Sequence, residues 1–444
     1  MSGGPREAMS EDLRRTSLFS AFEATAAKLE ETASRALRGE AQITKDRLKA
    51  HQRQIFASFR ELVDLQVRRT AGAFFTGNEL STRVTRAARP SAVVLDPACG
   101  IGDLLLSHSF RLRPAQRLDD TLDQWGELLL GLELEEPLIR VARARLALAA
   151  VAHHQGQTGE GGRTRRPLEL LFPGLKQGDG LDAGETVGRA TDILLNPPYC
   201  RIQAPADCEW GAGSVTAAAV FVDRCLSYAV PRSRITAILP DVLRSGSRYA
   251  AWRARVEAYA SIDGIEIAGR FDSHTNIDVF VLRLTVRESR SENSPGLPWV
   301  AQSTGLILGD YFRVSVGPLV AYRAPLKGSW HPYLDVSRAT PWAEIRDPRP
   351  FRRFAGRVVQ PPFVAIRRTS SPHDRQRAVA TLVTGERPVA VENHLLVMEP
   401  YDGSEDTCRL ALSLLASEKT TEWLNGRIRC RHLTVDSVRE IPFG

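Results

Sequence analysis

The stretch Ile193-Leu194-Leu195-Asn196-Pro197-Pro198-Tyr199 decides how the rest of the chain is read. Three apolar residues in a row read as the end of a buried strand. The two prolines that follow have a fixed φ and no N–H, so they stop the strand and stiffen the turn. Their carbonyls stay available as acceptors. The result is a rigid ledge at a strand's carboxyl end, presenting a side-chain amide, carbonyls and an aromatic ring. Such a ledge suits gripping a planar NH2 group and stacking the ring that carries it. An ordinary Pro-rich strand exit with a packed tyrosine is the alternative, and the surrounding sequence decides between them.

Upstream, Val93-Val94-Leu95 reads as another short buried strand. It runs into Asp96-Pro97-Ala98-Cys99-Gly100-Ile101-Gly102-Asp103 and the apolar helix start Leu104-Leu105-Leu106. Strand, glycine turn and helix make the first unit of a doubly wound α/β fold. The turn lacks the dinucleotide GxGxxG pattern and the phosphate-loop ending in Gly-Lys-Ser/Thr. A nucleoside ligand without a pyrophosphate is therefore expected, with Asp96 offering a carboxylate to an ammonium and Gly100 and Gly102 allowing close backbone approach. A purely structural turn is the competing account.

Leu128 to Leu132 gives a second strand ending at Glu133, placed to accept from two ribose hydroxyls. Glu135 and Glu136 start the next helix, where carboxylates complement the dipole. That helix is expected from Pro137 to about Val151, followed by a polar loop over 153–166. A third strand within Leu168 to Leu175 leads to Gly178-Asp179-Gly180. There Asp179 is either a common turn residue or an acceptor for an adenine amino group. Asp96, Glu133, Asp179 and Asn196 thus fall at the carboxyl ends of successive strands, where open α/β sheets bind ligands.

Around this centre the chain is that of a globular protein long enough for two or three domains: 444 residues, 43% hydrophobic, 25% charged. A formal charge of +7 permits a polyanionic partner. The six cysteines show no CxxC pair and no zinc-ligand spacing, no metal site is expected, and a reducing cytoplasm fits best. The N-terminus lacks a signal peptide's apolar core, and no apolar run is long enough to span a bilayer. Residues 1–70 carry apolar residues at helical spacing (Leu13, Phe19, Phe22, Ala26, Leu29; then Ile55, Phe56, Phe59, Leu62), which predicts a helical support. Lys45, Arg47 and Lys49 are either a solvated face or a contact to a partner or to DNA.

Downstream, Cys200 to Ser214 reads as a polar loop and Ala217 to Tyr228 as a helix carrying Phe221. Strand Ile235–Leu239 ends at Pro240. Ile262–Gly269 and Asn276–Val286 read as an antiparallel pair with Phe271 at the turn, a second stacking face opposite Tyr199. Arg287 to Pro298 is a linker. Beyond it, arginines including Arg352, Arg353, Arg357, Arg367, Arg368, Arg375 and Arg377, interleaved with Phe351, Phe354 and Phe363, form a candidate DNA-contacting surface or a solvated basic face.

Taken in order, the Asp96–Gly102 turn, Glu133, Asp179 and Asn196-Pro197-Pro198-Tyr199 resemble the DNA adenine-N6 methyltransferases of bacterial restriction–modification systems. Phe74-Phe75-Thr76 ahead of the turn, with a long C-terminal region, is similar to their gamma arrangement. Ala73 departs from it, since many relatives carry a polar residue there. Weaker landmarks follow at Leu308–Phe312, Val391–Leu395 and Leu433–Pro442. The resemblance implies a helical segment (1–70) and a mostly parallel, seven-stranded Rossmann-like methyltransferase domain (71–290). A mixed α+β target-recognition domain (296–444) would follow. It implies S-adenosylmethionine held by Thr76, Asp96, Ala98, Gly100, Glu133, Asp179 and Phe221. Asn196, Pro197, Pro198 and Tyr199 would hold the target adenine, with Tyr199 and Phe271 stacking on it. Double-stranded DNA is the expected partner, a separate endonuclease or specificity subunit is left open, and a monomer or weak dimer is expected. Rival accounts are a protein-glutamine or RNA amino-group methyltransferase, since the tetrapeptide is shared, and a non-catalytic DNA-binding subunit. Cytosine-N4 enzymes usually carry Ser in place of Asn196.

Overall fold

The computed structural model describes residues 22–443 except 45, 49, 52–53, 56, 58–75, 159–161, 272–276 and 292–297. Leu13, Phe19, Phe56, Phe59, Leu62, Lys45, Lys49, Ala73, Phe74 and Phe75 lie outside the described residues. Two compact units emerge, Met1–Leu243 with Arg248–Leu297 and Arg244–Ser247 with Pro298–Gly444.

The strands of the first unit, in chain order, are β1 (Val94–Asp96), β2 (Leu129–Glu133), β3 (Leu175–Gln177), β4 (Asp192–Leu195), β5 (Arg201–Gln203), β6 (Ser214–Thr216), β7 (Arg234–Pro240), β8 (Ala260–Arg270) and β9 (Asp278–Val286). Among the described residues seven of them form one mixed sheet in the order β3-β2-β1-β4-β7-β9-β8. The pairs from β3 through β7 are parallel. The pairs of β9 with β7 and β8 are antiparallel. β1 and β4 are buried along their whole length, as expected for strands covered on both faces, and this is why their sequences are continuous apolar runs.

Three sequence expectations shift. The third strand starts only at Leu175, because Pro173-Gly174 interrupts the apolar stretch before it and Leu168–Leu170 winds into a short 3-10 turn. The helix begun at Glu136 continues to Thr158 rather than stopping near Val151, since His153, His154 and Gln155 are compatible with a helix and Gly156 is tolerated at modest cost. The segment read as a polar loop, 200–214, contains the two-stranded antiparallel ribbon β5–β6. It is pinned by the buried Val215 and by Arg201 Nε donating to Ser214 Oγ at 2.9 Å.

A helix covering 22–37 packs its Phe22, Ala26, Leu29, Ala33 and Leu37 into the same apolar core as Glu136–Thr158. Arg140 bridges it to Glu23 at 2.7 Å and Glu30 at 2.6 Å. The burial of the apolar stripe is the larger contribution, because partly exposed ion pairs are worth at most about 1 kcal/mol each.

The second unit contains β10 (Phe312–Val316), β11 (Ser329–Leu334), β12 (Glu344–Arg346), β13 (Phe351–Phe354), β14 (Phe363–Arg367), β15 (Ala380–Thr384), β16 (Ala390–Val391) and β17 (Leu395–Pro400). They form a five-stranded sheet, β10-β17-β14-β15-β12, and a three-stranded one, β13-β11-β16. Helices Glu405–Leu415 and Glu418–Arg427 follow, each opened by a serine whose hydroxyl caps the first turn. Among the described residues no helix is long and apolar enough to cross a membrane.

Candidate active site

The order of strands reverses between β1 and β4: from β1 the chain builds outward to β2 and β3, then returns to lay β4 on the other side. Open sheets bind ligands in the crevice at such a switch. The structure brings Asp179, Glu133, Asp96 and Asn196 to this crevice in spatial order, each at or just beyond the end of one of four adjacent strands.

Asp96 closes β1 and is buried. Its Oδ1 accepts from the Ala98 amide at 3.1 Å, which folds the chain into the glycine turn. Burial, reinforced by Glu133 and Asp103 nearby, pushes its pKa up to about 8 against the favourable Ala98 amide. At neutral pH such a buried acid is held mostly protonated, and a cation brought beside it would favour its ionised form. Gly100 sits at φ +52, and a side chain there would meet nothing within 4 Å. The backbone is thus open toward the crevice. The Gly100 amide donates to Glu133 Oε2 at 3.0 Å and the Glu135 amide to Oε1 at 3.2 Å. These bonds orient the carboxylate and leave further lone pairs on each oxygen. Burial raises the Glu133 pKa, opposed by the same two amides.

Asp179 caps the 3-10 turn Gly180–Asp182, with its Oδ1 accepting from the Leu181 amide at 2.9 Å. Asp179 therefore fills the turn role, and the residue is exposed. Beside it lies a residue that the sequence reading passed over. A Cβ on Gly180 would fall 1.8 Å from the Pro97 carbonyl oxygen and 2.8 Å from Phe221 Cε1. Only glycine lets the loop after β3 lie against the turn after β1. Its only mark in the sequence is its place in Gly178-Asp179-Gly180. Gly180→Ala is expected to destabilise the folded chain by about 1–3 kcal/mol, since such overpacking forces the backbone to shift. Urea unfolding measures it, and a stability equal to the parent's would contradict this account of the contact.

Asn196 follows β4 directly. Its Nδ2 donates to Thr76 Oγ1 at 2.6 Å. Its Oδ1 accepts from the Tyr199 hydroxyl at 3.0 Å, which also lies 3.3 Å from the Ile238 carbonyl at the end of β7. Thr76 is buried. Burial holds the Tyr199 phenol well above its usual pKa, so it stays a neutral donor. Pro197 is buried and Pro198 half-buried. Phe271 is buried in the apolar core, 7% exposed, with Tyr199 packed against that core. The two rings meet edge to face, 5.8 Å between centroids at 86°. Their faces do not oppose one another across a slot, so a base held between both would require one ring to turn.

Beneath the glycine turn, Asp103 and Arg145 form a buried ion pair at 2.8 Å. Arg145 also donates to the Ile101 carbonyl at 2.5 Å. The backbone amide of Thr76 favours the ionised form of Asp103, as Arg145 does, against a larger effect of burial. Among the described residues no group of His, Cys, Asp and Glu side chains could hold a metal ion.

With 14% identity, 87% of this chain aligns on 70% of the type IIL restriction–modification enzyme MmeI, solved in complex with DNA, at a TM-score of 0.55. The two chains share a fold. At that identity the likeness is one of fold alone. The type IIG restriction endonuclease BpuSI aligns over 97% of this chain and 71% of its own, at 12% identity and a TM-score of 0.46. A modification subunit of a type I restriction enzyme from Vibrio vulnificus aligns over 56% and 51%, at 16% identity and 0.41. No family model matches the chain, and no curated protein does.

In the second unit the arginines divide. Arg377 leaves any surface role: it is fully buried and donates to the Cys430 carbonyl at 2.8 Å and to Asn425 Oδ1 at 3.2 Å, tying down the chain that follows Glu418–Arg427. Arg352 donates to the Ala321 and Ala324 carbonyls at 2.9 and 3.2 Å. Arg357 pairs with Glu399 at 2.5 Å. Arg367 donates to the Ala339 carbonyl at 3.1 Å, and Arg368 is half-buried. Arg353 is exposed beside Trp330, its cross-strand partner, which is itself 66% exposed. A cleft of about 390 Å³ is lined by Asp335, Ser337, Arg367, Thr369, Glu392 and His394.

Proposed function

We propose that the chain is a site-specific DNA methyltransferase acting on adenine N6 with S-adenosylmethionine, the modification component of a restriction–modification or related defence system. The observation that carries this reading is the adjacency of β1 and β4. A buried acid and a side-chain amide, Asp96 and Asn196, stand at the ends of neighbouring strands. Asp96 would take the ammonium of the methionine moiety and Glu133 the ribose hydroxyls. Asp179 and Phe221 would take the adenine ring, with Ala98 and Gly100 contributing open backbone. When bound, S-adenosylmethionine supplies an electrophilic methyl group on a sulfonium.

Adenine N6 is a weak nucleophile because its lone pair is conjugated into the ring. Asn196 Oδ1 and the Pro197 carbonyl accept its two hydrogens, so the nitrogen pyramidalises and directs its lone pair at the methyl carbon. The same acceptors stabilise the positive charge that grows on nitrogen, a preorganised electrostatic effect. As the N–C bond forms the C–S bond breaks, and the nitrogen then loses a proton to solvent. The Tyr199 hydroxyl yields Oδ1 to the substrate by turning to the Ile238 carbonyl. Its neutral phenol supplies no base, and none is needed once the nitrogen is alkylated.

The target atom is shielded inside a duplex, so the base is flipped out at a cost of a few kcal/mol. Stacking on Tyr199 offsets about 1–3 kcal/mol of it. Recognition is assigned to the second unit. There Arg353 with Trp330, and the mixed donors and acceptors of the 390 Å³ cleft, suit phosphates and base edges. Arg352, Arg357, Arg367 and Arg368 would add positive potential from positions that also brace loops.

Sequencing the methylated bases in DNA from cells expressing this chain tests the proposal. N6-methyladenine in one short sequence context is the expected result. Methyl transfer to RNA or protein but not to DNA, with a labelled donor offered to all three, would overturn it.

A further inference from the structure

We propose that Arg201 and Arg248 form an anion site that holds one backbone phosphate of the target strand beside the Asn196–Tyr199 ledge. The inference rests on the DNA reading given above and gives the first unit a strand contact of its own.

The two guanidiniums converge on one oxygen. Arg201 donates to the Ser214 carbonyl through an Nη and to the Ser214 hydroxyl through Nε, the latter at 2.9 Å. An Nη of Arg248 donates to the same carbonyl at 2.7 Å. Two full positive charges thus share the partial negative charge of a single carbonyl. Like charges held that close repel. Among the described residues neither arginine has a carboxylate partner, and each keeps N–H donors unspent. Both residues are exposed.

The acids of the same ribbon are committed elsewhere. Asp207 and Glu209 lie on the loop between β5 and β6. Asp207 takes Arg224 through both oxygens, at 2.6 and 2.8 Å, and Glu209 takes Arg255 at 2.7 Å. Those pairs fasten the loop to helices Ala217–Tyr228 and Ala250–Tyr259. The acids are therefore neutralised, whereas Arg201 and Arg248 are not.

Both arginines are also held in place. Ile202 pairs with the buried Val215, while Arg201 and Gln203 on either side are exposed, the alternation of a half-buried strand. Arg248 precedes the buried Tyr249, whose hydroxyl accepts from the Thr216 amide at 3.2 Å. Thr216 is the cross-strand partner of Arg201. Strand β6 thereby fixes the two arginines relative to each other. Arg201 stands two residues beyond Tyr199, so their Cα atoms are at most about 7 Å apart. A base held on the ledge brings its own phosphates into that neighbourhood. The approach is open, since Ser214 is exposed and a Cβ on Gly213 would meet nothing within 4 Å. A phosphodiester offers two oxygens to the planar donor forks and cancels their repulsion.

The test measures duplex-DNA affinity against salt for the parent, for the double variant Arg201→Gln with Arg248→Gln, and for Arg201→Lys with Arg248→Lys. Each phosphate neutralised contributes about 0.9 to the slope of log K against log salt. Because one phosphate is shared, losing both charges should lower the slope by about 0.9 and not by about 1.8. Between about 50 and 200 mM salt the parent should then lose about 3.5-fold more affinity than the glutamine variant. Glutamine can still donate to the Ser214 carbonyl, so the ribbon keeps its tie. The lysine variant keeps the charge and should keep the parent slope. A methylphosphonate, a linkage without the charge, placed singly along the recognised duplex should weaken the parent next to the target adenine and have no such effect there on the glutamine variant. An unchanged slope in the glutamine variant, a slope lowered equally by lysine, or equal sensitivity of both proteins at that linkage overturns the inference. The slopes need no turnover. A chain that binds duplex but methylates no DNA would sink the proposed function while the slopes still decide the anion site, and DNA methylation with unaltered slopes would sink the site alone.

Discussion

Asn196→Ala is expected to lower methyl transfer to duplex DNA by about 10²–10³-fold, the magnitude seen when one preorganised charge-stabilising group is removed. The loss should fall on kcat, because the acceptor gains most of its strength only as positive charge develops on the nitrogen. S-adenosylmethionine affinity should change little, since Asp96 and Glu133 stand on other strands. Quenched-flow single-turnover transfer and calorimetry on the same variant separate the two. Equal loss of cofactor affinity would remove Asn196 from its assigned role. So would a rate drop explained wholly by KM for DNA.

The second large effect concerns Asp96. Burial lifts its pKa from 3.8 to about 8 in the ligand-free chain. The folded state thus holds a proton that the unfolded chain gives up. The corresponding stability is complete below pH 4 and is lost as pH rises through 8. Taking up an ammonium reverses the preference for the neutral form. S-adenosylmethionine binding near pH 7 is therefore expected to release close to one proton, visible as a dependence of the binding enthalpy on buffer ionisation. Affinity should strengthen as pH rises toward 8. Asp96→Asn should do two opposite things: remove most cofactor binding, by about 100-fold or more, and stabilise the ligand-free chain above pH 7. Unfolding midpoints in urea at pH 6 and 8 measure the latter. A variant that binds like the parent, or parent binding with no proton released, would contradict the assignment of Asp96.

The strand ends that carry the site were legible because the sheet's centre has a simple grammar. Strands buried on both faces are uninterrupted apolar runs, and each here is stopped by a polar or proline-bearing residue. Asp96, Glu133 and Asn196 could be placed that way from neighbours a few positions distant. Gly180 could not, because its necessity lies in the Pro97 carbonyl, far away in sequence. The same holds for Asp103. In the sequence it is one acid opening a helix, where the dipole alone would explain it; its meaning comes from Arg145, about three helical turns into another helix. Arg377 illustrates the reverse error. A run of arginines reads as a surface, yet one of them is wholly enclosed, because the backbone carbonyls it satisfies belong to a segment some fifty residues on. Charge density is visible in a sequence, whereas the side of the molecule on which each charge ends up depends on long-range partners.

Neighbouring strands of any sheet stand about 4.8 Å apart. Since β1 delivers the acid and β4 the amide, with nothing between them, the lateral offset between their carriers is fixed by backbone hydrogen bonding and not by side-chain choice. The sheet acts as a ruler. Loops above it can lengthen or change composition without altering that gauge, so variation in what the chain recognises need not disturb the spacing on which chemistry at its rim would depend.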